Sequence, residues 1–270
     1  MVYKSLFVLG RQPAIGRAEL ERLYGAEHMA PWGDSAVLSD LATADVPFER
    51  LGSTVKLARV VAVDASAGDW RQLQAALTQA ALTLAEDVNE GKIQLGISVY
   101  GVRTSPRQLL GAGLEIKKML RGHGYSVRLV PNQEAALSSA QVLHNHLAGE
   151  RGIELIAVCH GQRAVIARTV AVQDITAYAA RDQNRPKRDA FVGMLPPKLA
   201  QTIVNLAVGP LAPREGCVVL DPFCGTGVVL QEAALMGYSV YGTDLEPRMV
   251  DFSAKNLEWL ATRAQVSSPT

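Results

Sequence analysis

The run Asp221-Pro222-Phe223-Cys224-Gly225-Thr226-Gly227 constrains the fold of this chain more than any other stretch. The apolar residues before it, Cys217-Val218-Val219-Leu220, read as a short buried strand, and residues 228–236 after it read as a helix ended by Gly237. Strand, glycine turn and helix in that order place backbone N–H groups and a helix N-terminus at the carboxyl end of a sheet. That is where α/β folds bind nucleotide-like ligands. A second strand, residues 239–243, leads into Asp244, seventeen positions after Gly227. An acidic residue at that tip is placed to accept hydrogen bonds from ribose hydroxyls.

The residues of the loop bear on the identity of the ligand. A dinucleotide fingerprint needs a third glycine three positions after the second, and that position is Leu230. The loop opens on a carboxylate, Asp221, which repels a pyrophosphate and suits a ligand with an ammonium group. S-adenosylmethionine carries an ammonium, a sulfonium and a ribose and no phosphate, so these residues favour it over a dinucleotide. A glycine turn that binds nothing is the third reading, disfavoured by the acidic opening and the spacing of Asp244.

On these and several other blocks the chain resembles the class I S-adenosylmethionine-dependent methyltransferases. Within them it is similar to the THUMP-domain RNA methyltransferases that modify the exocyclic amine of guanosine in tRNA. Arg181-Asp182, Arg185-Pro186-Lys187-Arg188-Asp189 and Gly193-Met194-Leu195-Pro196-Pro197-Lys198-Leu199-Ala200-Gln201 look like that subfamily's segment entering the catalytic domain. Leu114-Glu115-Ile116-Lys117-Lys118 and Ser138-Ser139-Ala140-Gln141-Val142 look like its THUMP region. Leu9-Gly10-Arg11-Gln12-Pro13 and the stretch from Arg50 to Ala58 look like its N-terminal extension.

The resemblance implies an α/β fold in three parts. Residues 1–88 form a ferredoxin-like-type extension, residues 89–175 a THUMP-like RNA-binding module, and residues 176–270 a linker helix with the start of a Rossmann-like methyltransferase domain, its sheet incomplete. It implies S-adenosylmethionine as cofactor. Asp221 and the backbone of Gly225, Thr226 and Gly227 hold its methionine end and Asp244 its ribose, while Pro222 and Phe223 line the loop and Phe223 shapes the pocket wall. It implies a tRNA guanosine N2-methyltransferase, in which the amine attacks the cofactor methyl in line, aided by alignment and desolvation. Two rivals stay open: another RNA or DNA amine methyltransferase, and an RNA-binding THUMP module that is catalytically inert.

The same family carries an Asp-Pro-Pro-Tyr or Asn-Pro-Pro-Tyr type motif after the fourth strand of its catalytic sheet, and this chain has none. Its one Pro-Pro pair, Pro196-Pro197, lies upstream of the glycine loop and reads as a helix start. The expectation is an N-terminal fragment of a longer enzyme, inactive alone, with its catalytic residues unassigned. After Asp244 the sequence offers one helix, residues 247–260, and a polar tail, Ser267-Ser268-Pro269-Thr270.

Upstream, residues 3–10 read as a strand and residues 14–24 as a helix with Ile15, Ala18 and Leu23 inward. Val37-Leu38 and residues 60–63 read as strands, and residues 70–84 as a helix. Ile93, Leu95, Ile97 and Val99 alternate with polar or small residues, the period of a half-buried strand. Ser105-Pro106 starts a helix burying Leu109, Gly113, Ile116 and Leu120. Residues 125–130 form a strand, Ser138 or Ser139 caps a helix with Val142, Leu143 and Leu147, and residues 153–159 and 164–170 make a hairpin around Gly161. This β-α-β-α-β-β order suits a compact α/β module.

A net charge of +1 and 6% aromatic residues mean that any basic surface must be local. Arg103, Arg107, Lys117, Lys118, Arg121 and Arg128 cluster in the THUMP-like part, a stripe able to neutralise tRNA phosphates without reading sequence. Arg181, Arg185, Lys187 and Arg188 form a second basic run that touches the RNA backbone or is a solvated linker. The three cysteines, Cys159, Cys217 and Cys224, lack Cys-x-x-Cys spacing, which suits a reducing cytoplasm and argues against a disulfide scaffold or a zinc site. No run of 18 apolar residues occurs, so no membrane partner is expected. His144 and His146 point to different helix faces and share no metal. Phe252 and Trp259 read as core.

Overall fold

The structure, a computed structural model, describes residues 2–88, 90–189, 194–210 and 216–264. Gly193 of the linker block and the polar tail lie outside these residues. In chain order the first elements are β1 (Ser5–Leu9), α1 (Pro13–Tyr24), β2 (Met29–Trp32), β3 (Ala36–Ser39) and β4 (Thr54–Ser66). Then come α2 (Trp70–Ala85), β5 (Lys92–Tyr100), α3 (Pro106–Gly122), β6 (Ser126–Leu129), α4 (Ser139–His144), β7 (Gly152–His160) and β8 (Arg163–Val172). The last are α5 (Ile175–Gln183), α6 (Pro197–Val208), β9 (Val218–Asp221), α7 (Val228–Leu235), β10 (Ser239–Gly242) and α8 (Pro247–Ala264).

Two compact units result. The first holds Met1–Pro13, Glu27–Phe48 and Thr54–Asp174, and the second holds Ala14–Ala26, Glu49–Ser53 and Ile175–Thr270. The first unit is built on an eight-stranded mixed sheet of order β2-β3-β1-β4-β8-β7-β5-β6. This sheet runs through both parts, residues 1–88 and 89–175, that the sequence reading separates. Its α2 and α3 bury Leu77, Leu84, Ile116 and Leu120 against Ile93, Leu95, Leu155 and Ile166. Both expected serine caps form capping boxes: Ser105 with Gln108, and Ser138, rather than Ser139, with Gln141.

Strand β5 departs from its expected half-burial. Gly96 and Ser98 are buried along with Ile93, Leu95, Ile97 and Val99, because α2 and α3 cover one face of β5 while Leu137 and Leu147 close over the other. One buried face holds an ion pair that periodicity cannot reveal. Lys56 Nζ donates to Glu154 Oε1 and to the Leu137 carbonyl at 2.8 Å, with the two charged side chains 1% and 0% exposed. Ser98 Oγ and Thr169 Oγ1 each donate to the same carboxylate at 2.5 Å. Burial alone would depress the Lys56 ammonium, but the Glu154 carboxylate and Tyr100 beside it hold its pKa above the ordinary lysine value. Four strands, β4, β5, β7 and β8, are thereby tied by one polar cluster.

In the second unit β9 and β10 pair in parallel, Ser239 opposite Val218 through Gly242 opposite Asp221, with α7 as the crossover between them. Val219 and Val240 pack with Val204, Ala233, Met236 and Tyr238. The other face is open: Val218, Leu220 and Tyr241 are 55%, 59% and 62% exposed. The strand expected to be buried is therefore half-buried on one side and exposed on the other. Helix α1 belongs to this unit, and its inward face differs from expectation. Ala18 is exposed and Ile15 half-buried, while Gly16, Glu19, Leu20 and Leu23 are buried.

Glu19 is inward because it has donors to meet. Its carboxylate accepts from Gly52 N at 3.0 Å, Ser53 N at 2.9 Å and Asn205 Nδ2 at 2.7 Å. Burial pushes its pKa up while these hydrogen bonds pull it back.

Candidate functional site

The glycine loop joins β9 to α7. Gly225 and Gly227 take φ values of +50° and +81°, and Gly227 is the residue capping α7. That left-handed backbone is open to glycine at little steric cost, which is why the turn is written with two of them. A side-chain methyl at Gly225 would meet nothing within 4 Å, whereas at Gly227 it would collide with Ser253 Oγ at 2.4 Å. The first glycine faces open space and the second faces α8.

The loop is pinned to the end of β10. Cys224 N donates to the Thr243 carbonyl at 2.9 Å, Thr243 N to the Asp221 carbonyl at 3.0 Å, and Thr243 Oγ1 to the Pro222 carbonyl at 3.0 Å. Asp244 Oδ2 accepts from Gly225 N at 2.9 Å, and its Oδ1 accepts from Glu246 N at 3.0 Å. These backbone amides, Glu246 first, hold the Asp244 pKa below the ordinary aspartate value. Asp221 Oδ1 accepts from Phe223 N at 3.1 Å, a turn within the loop itself. The carboxylates Asp221 and Asp244 thus belong to loops joined at the same ends of two adjacent parallel strands.

All seven residues expected at the cofactor, Asp221, Pro222, Phe223, Gly225, Thr226, Gly227 and Asp244, lie in this loop pair. Phe223 is 78% exposed and Leu245 beside Asp244 is 92% exposed, so the mouth carries apolar surface. Thr226 is buried, with its backbone carbonyl bonded to Asn256 at 2.9 Å. Cys224 is buried at 5% exposure, and burial raises its thiol pKa. A thiol in that state is a poor nucleophile.

Among the basic residues, Arg107, Lys118 and Arg121 share one exposed side of α3, since eleven residues make three helical turns. Lys117 is half-buried beside them, and Arg103 is exposed just ahead of the helix. Arg128 is exposed on β6, the sheet edge against which α3 packs. Among the described residues no ion pair involves any of these six. In the second run, Arg188 is exposed and Lys187 half-buried over the Phe252 ring at 5.4 Å. Arg185 does not fit an RNA contact: it is 3% exposed, with Nη2 facing Asp182 and Met194, because residues 182–185 turn it inward. Phe252 and Trp259 are half-exposed rather than core, and Arg248 and Arg263 lie over their rings at 5.6 and 5.3 Å.

Sequence reasoning missed the polar residues behind the loop. Asn256 and Glu232 have no motif of their own, and Arg181, expected in the second basic run, is instead drawn into an ion pair. Arg181 grips Glu232 with Nε at 2.8 Å and Nη2 at 3.2 Å, and burial raises the Glu232 pKa against that pull. Among the described residues no group of three or more His, Cys, Asp or Glu could hold a metal, and no helix is long and apolar enough to cross a membrane.

Comparison with known proteins gives the same region weight. A family model described as DNA methylase matches residues 129–256. The tRNA (guanine(10)-N2)-dimethyltransferase of Methanothermobacter thermautotrophicus is 44% identical over 79 residues, which are 28% of this chain and 22% of the relative. This chain therefore matches about a fifth of that curated relative's length. The crystal structure of TrmN from Thermus thermophilus has a TM-score of 0.55 at 22% identity, covering 98% of this chain and 70% of that one. A candidate methyltransferase solved in complex with SAH has a TM-score of 0.53 at 14% identity, covering 98% and 74%. The chain is similar to the DNA methylase family over residues 129–256, and its mixed α/β fold is similar to that of TrmN.

Proposed function

We propose that this protein acts in S-adenosylmethionine-dependent methylation of a guanosine amine in tRNA. The observation that carries this reading is the pair of carboxylates, Asp221 and Asp244, flanking two left-handed glycines at the ends of parallel strands β9 and β10. The Asp221 charge suits an ammonium and opposes a pyrophosphate, and Asp244 suits ribose hydroxyls, so the residues favour this cofactor over a dinucleotide. Bound there, S-adenosylmethionine supplies an electrophilic methyl group. Asp221 would hold the ammonium, Asp244 would accept from the ribose with the lone pairs left by Gly225 and Glu246, and Phe223 would offer an apolar wall.

The target class rests on the 44% identity to an enzyme named for guanine 10 of tRNA. The unpaired basic side of α3 supports it, as phosphate contacts need cations free of protein partners. On this reading residues 89–175 act as a THUMP-like module that holds RNA. The DNA methylase likeness favours amine methylation of DNA as the second reading.

Calorimetric titration with S-adenosylmethionine, with unmodified tRNA and with duplex DNA tests both. Cofactor binding together with salt-dependent tRNA binding upholds the proposal. Preference for DNA favours the second reading, and failure to bind cofactor overturns both.

A further inference from the structure

Asn256 on α8 is fully buried, and its side-chain amide is engaged on every side by the backbone of two other segments. Its Oδ1 accepts from Lys187 N at 2.9 Å, while Nδ2 donates to the Lys187 carbonyl at 2.9 Å and to the Thr226 carbonyl at 2.9 Å. Thr226 stands between the two left-handed glycines, the part of the loop with the most backbone freedom. One turn earlier on the same face of α8, Ser253 lies against Gly227. Arg248 Nη2 meets Asp189 Oδ2 at 2.8 Å, so α8 also holds the far end of the 187–189 segment.

We propose that Asn256 is a positioning residue that sets the conformation of the glycine loop and fixes the Lys187 backbone beside it. The role rests on the cofactor reading of the loop given above. An asparagine is required by chemistry: it offers one acceptor and two donors within a single short side chain. Aspartate has the acceptor and lacks both donors, and leucine lacks all three. A buried Thr226 carbonyl without its donor has reason to rotate, and rotation moves the Gly225 and Gly227 amides that flank it.

The test compares Asn256→Ala with Asn205→Ala. Asn205, on α6 of the same unit, is equally buried and donates through Nδ2 to Glu19 Oε1 at 2.7 Å and to the Arg50 carbonyl at 2.6 Å. Both substitutions remove comparable bonds, and only one touches the loop. The readouts are S-adenosylmethionine affinity by calorimetry and, in the ligand-free protein, amide hydrogen exchange at Gly225 and Gly227. The proposal expects about tenfold weaker cofactor binding and faster loop exchange in Asn256→Ala, with both unchanged in Asn205→Ala.

Equal effects of the two substitutions, or none, overturn it. If the unsubstituted protein binds no cofactor, the cofactor reading falls and loop exchange alone decides the positioning role. Should Asn256→Ala fail to fold, Asn256→Ser, which keeps one donor, takes its place with the same expected direction.

Discussion

The Gly225 amide donates to Asp244 Oδ2 at 2.9 Å, which makes the carboxylate after β10 a structural part of the glycine loop after β9. A residue expected from spacing to meet ribose also shapes the backbone that meets the rest of the ligand. Its removal therefore acts twice. Asp244→Ala is expected to weaken S-adenosylmethionine binding by about 10- to 100-fold, the loss of one or two charge-assisted hydrogen bonds. Asp244→Asn keeps an acceptor and falls between. Calorimetry on both variants checks the order, and equal affinities in all three proteins would remove Asp244 from the site.

The same hydrogen bond has a pH signature. The Asp244 pKa is lowered in the folded loop, so its stabilisation is complete above the ordinary aspartate value of about 3.9 and is lost as acidification passes through the lower folded value. The Gly225 amide resonance should accordingly titrate with a midpoint below that value. A midpoint above it would mean that the bond does not form in solution.

Lys56 and Glu154 form the pair with the most at stake in the first unit. Lys56→Met leaves a fully buried carboxylate with only Ser98 and Thr169 as donors, and is expected to destabilise by about 3–5 kcal/mol. The double change Lys56→Met with Glu154→Leu should recover much of that. Urea unfolding of the two variants decides the matter, and an equal loss in both would show that packing rather than charge sets the effect.

Glu19→Gln places an amide nitrogen against the donors from Gly52, Ser53 or Asn205. A loss of about 1–3 kcal/mol is expected at neutral pH, because one hydrogen bond becomes a repulsion. As the Glu19 pKa is raised in the fold, its charged form weakens the second unit as pH rises through that value. The deficit of the variant should therefore be larger at acidic than at neutral pH, measurable as a difference in unfolding midpoints.

Replacing Arg107, Lys118 and Arg121 by alanine tests the exposed side of α3. Every cation that neutralises a phosphate adds about 0.7–0.9 to the slope of log affinity against log salt, so removing three should flatten it by about 2. Titrations of unmodified tRNA at several salt concentrations give the slope directly. An unaltered slope would assign the stripe to solvent.

Local features were legible in the chain wherever local physics decides. The glycine loop needs left-handed backbone, so its two glycines announce it, and Ser105-Pro106 announces a helix start because capping is settled within four residues. Tertiary structure decided everything that depends on what lies opposite. Glu19 turns inward and Ala18 outward because Gly52, Ser53 and Asn205 bring donors from distant positions, against the apolar pattern of α1. Gly96 and Ser98 are buried because Leu137 and Leu147 close over the first, and Lys56, Glu154 and the Leu137 amide meet the second, contacts no period of two contains. Asn256 is invisible as a motif because its partners, Lys187 and Thr226, are 69 and 30 residues away. Sequence alone determines where the backbone can turn and cap, whereas the satisfaction of buried polar groups is a property of the assembled fold.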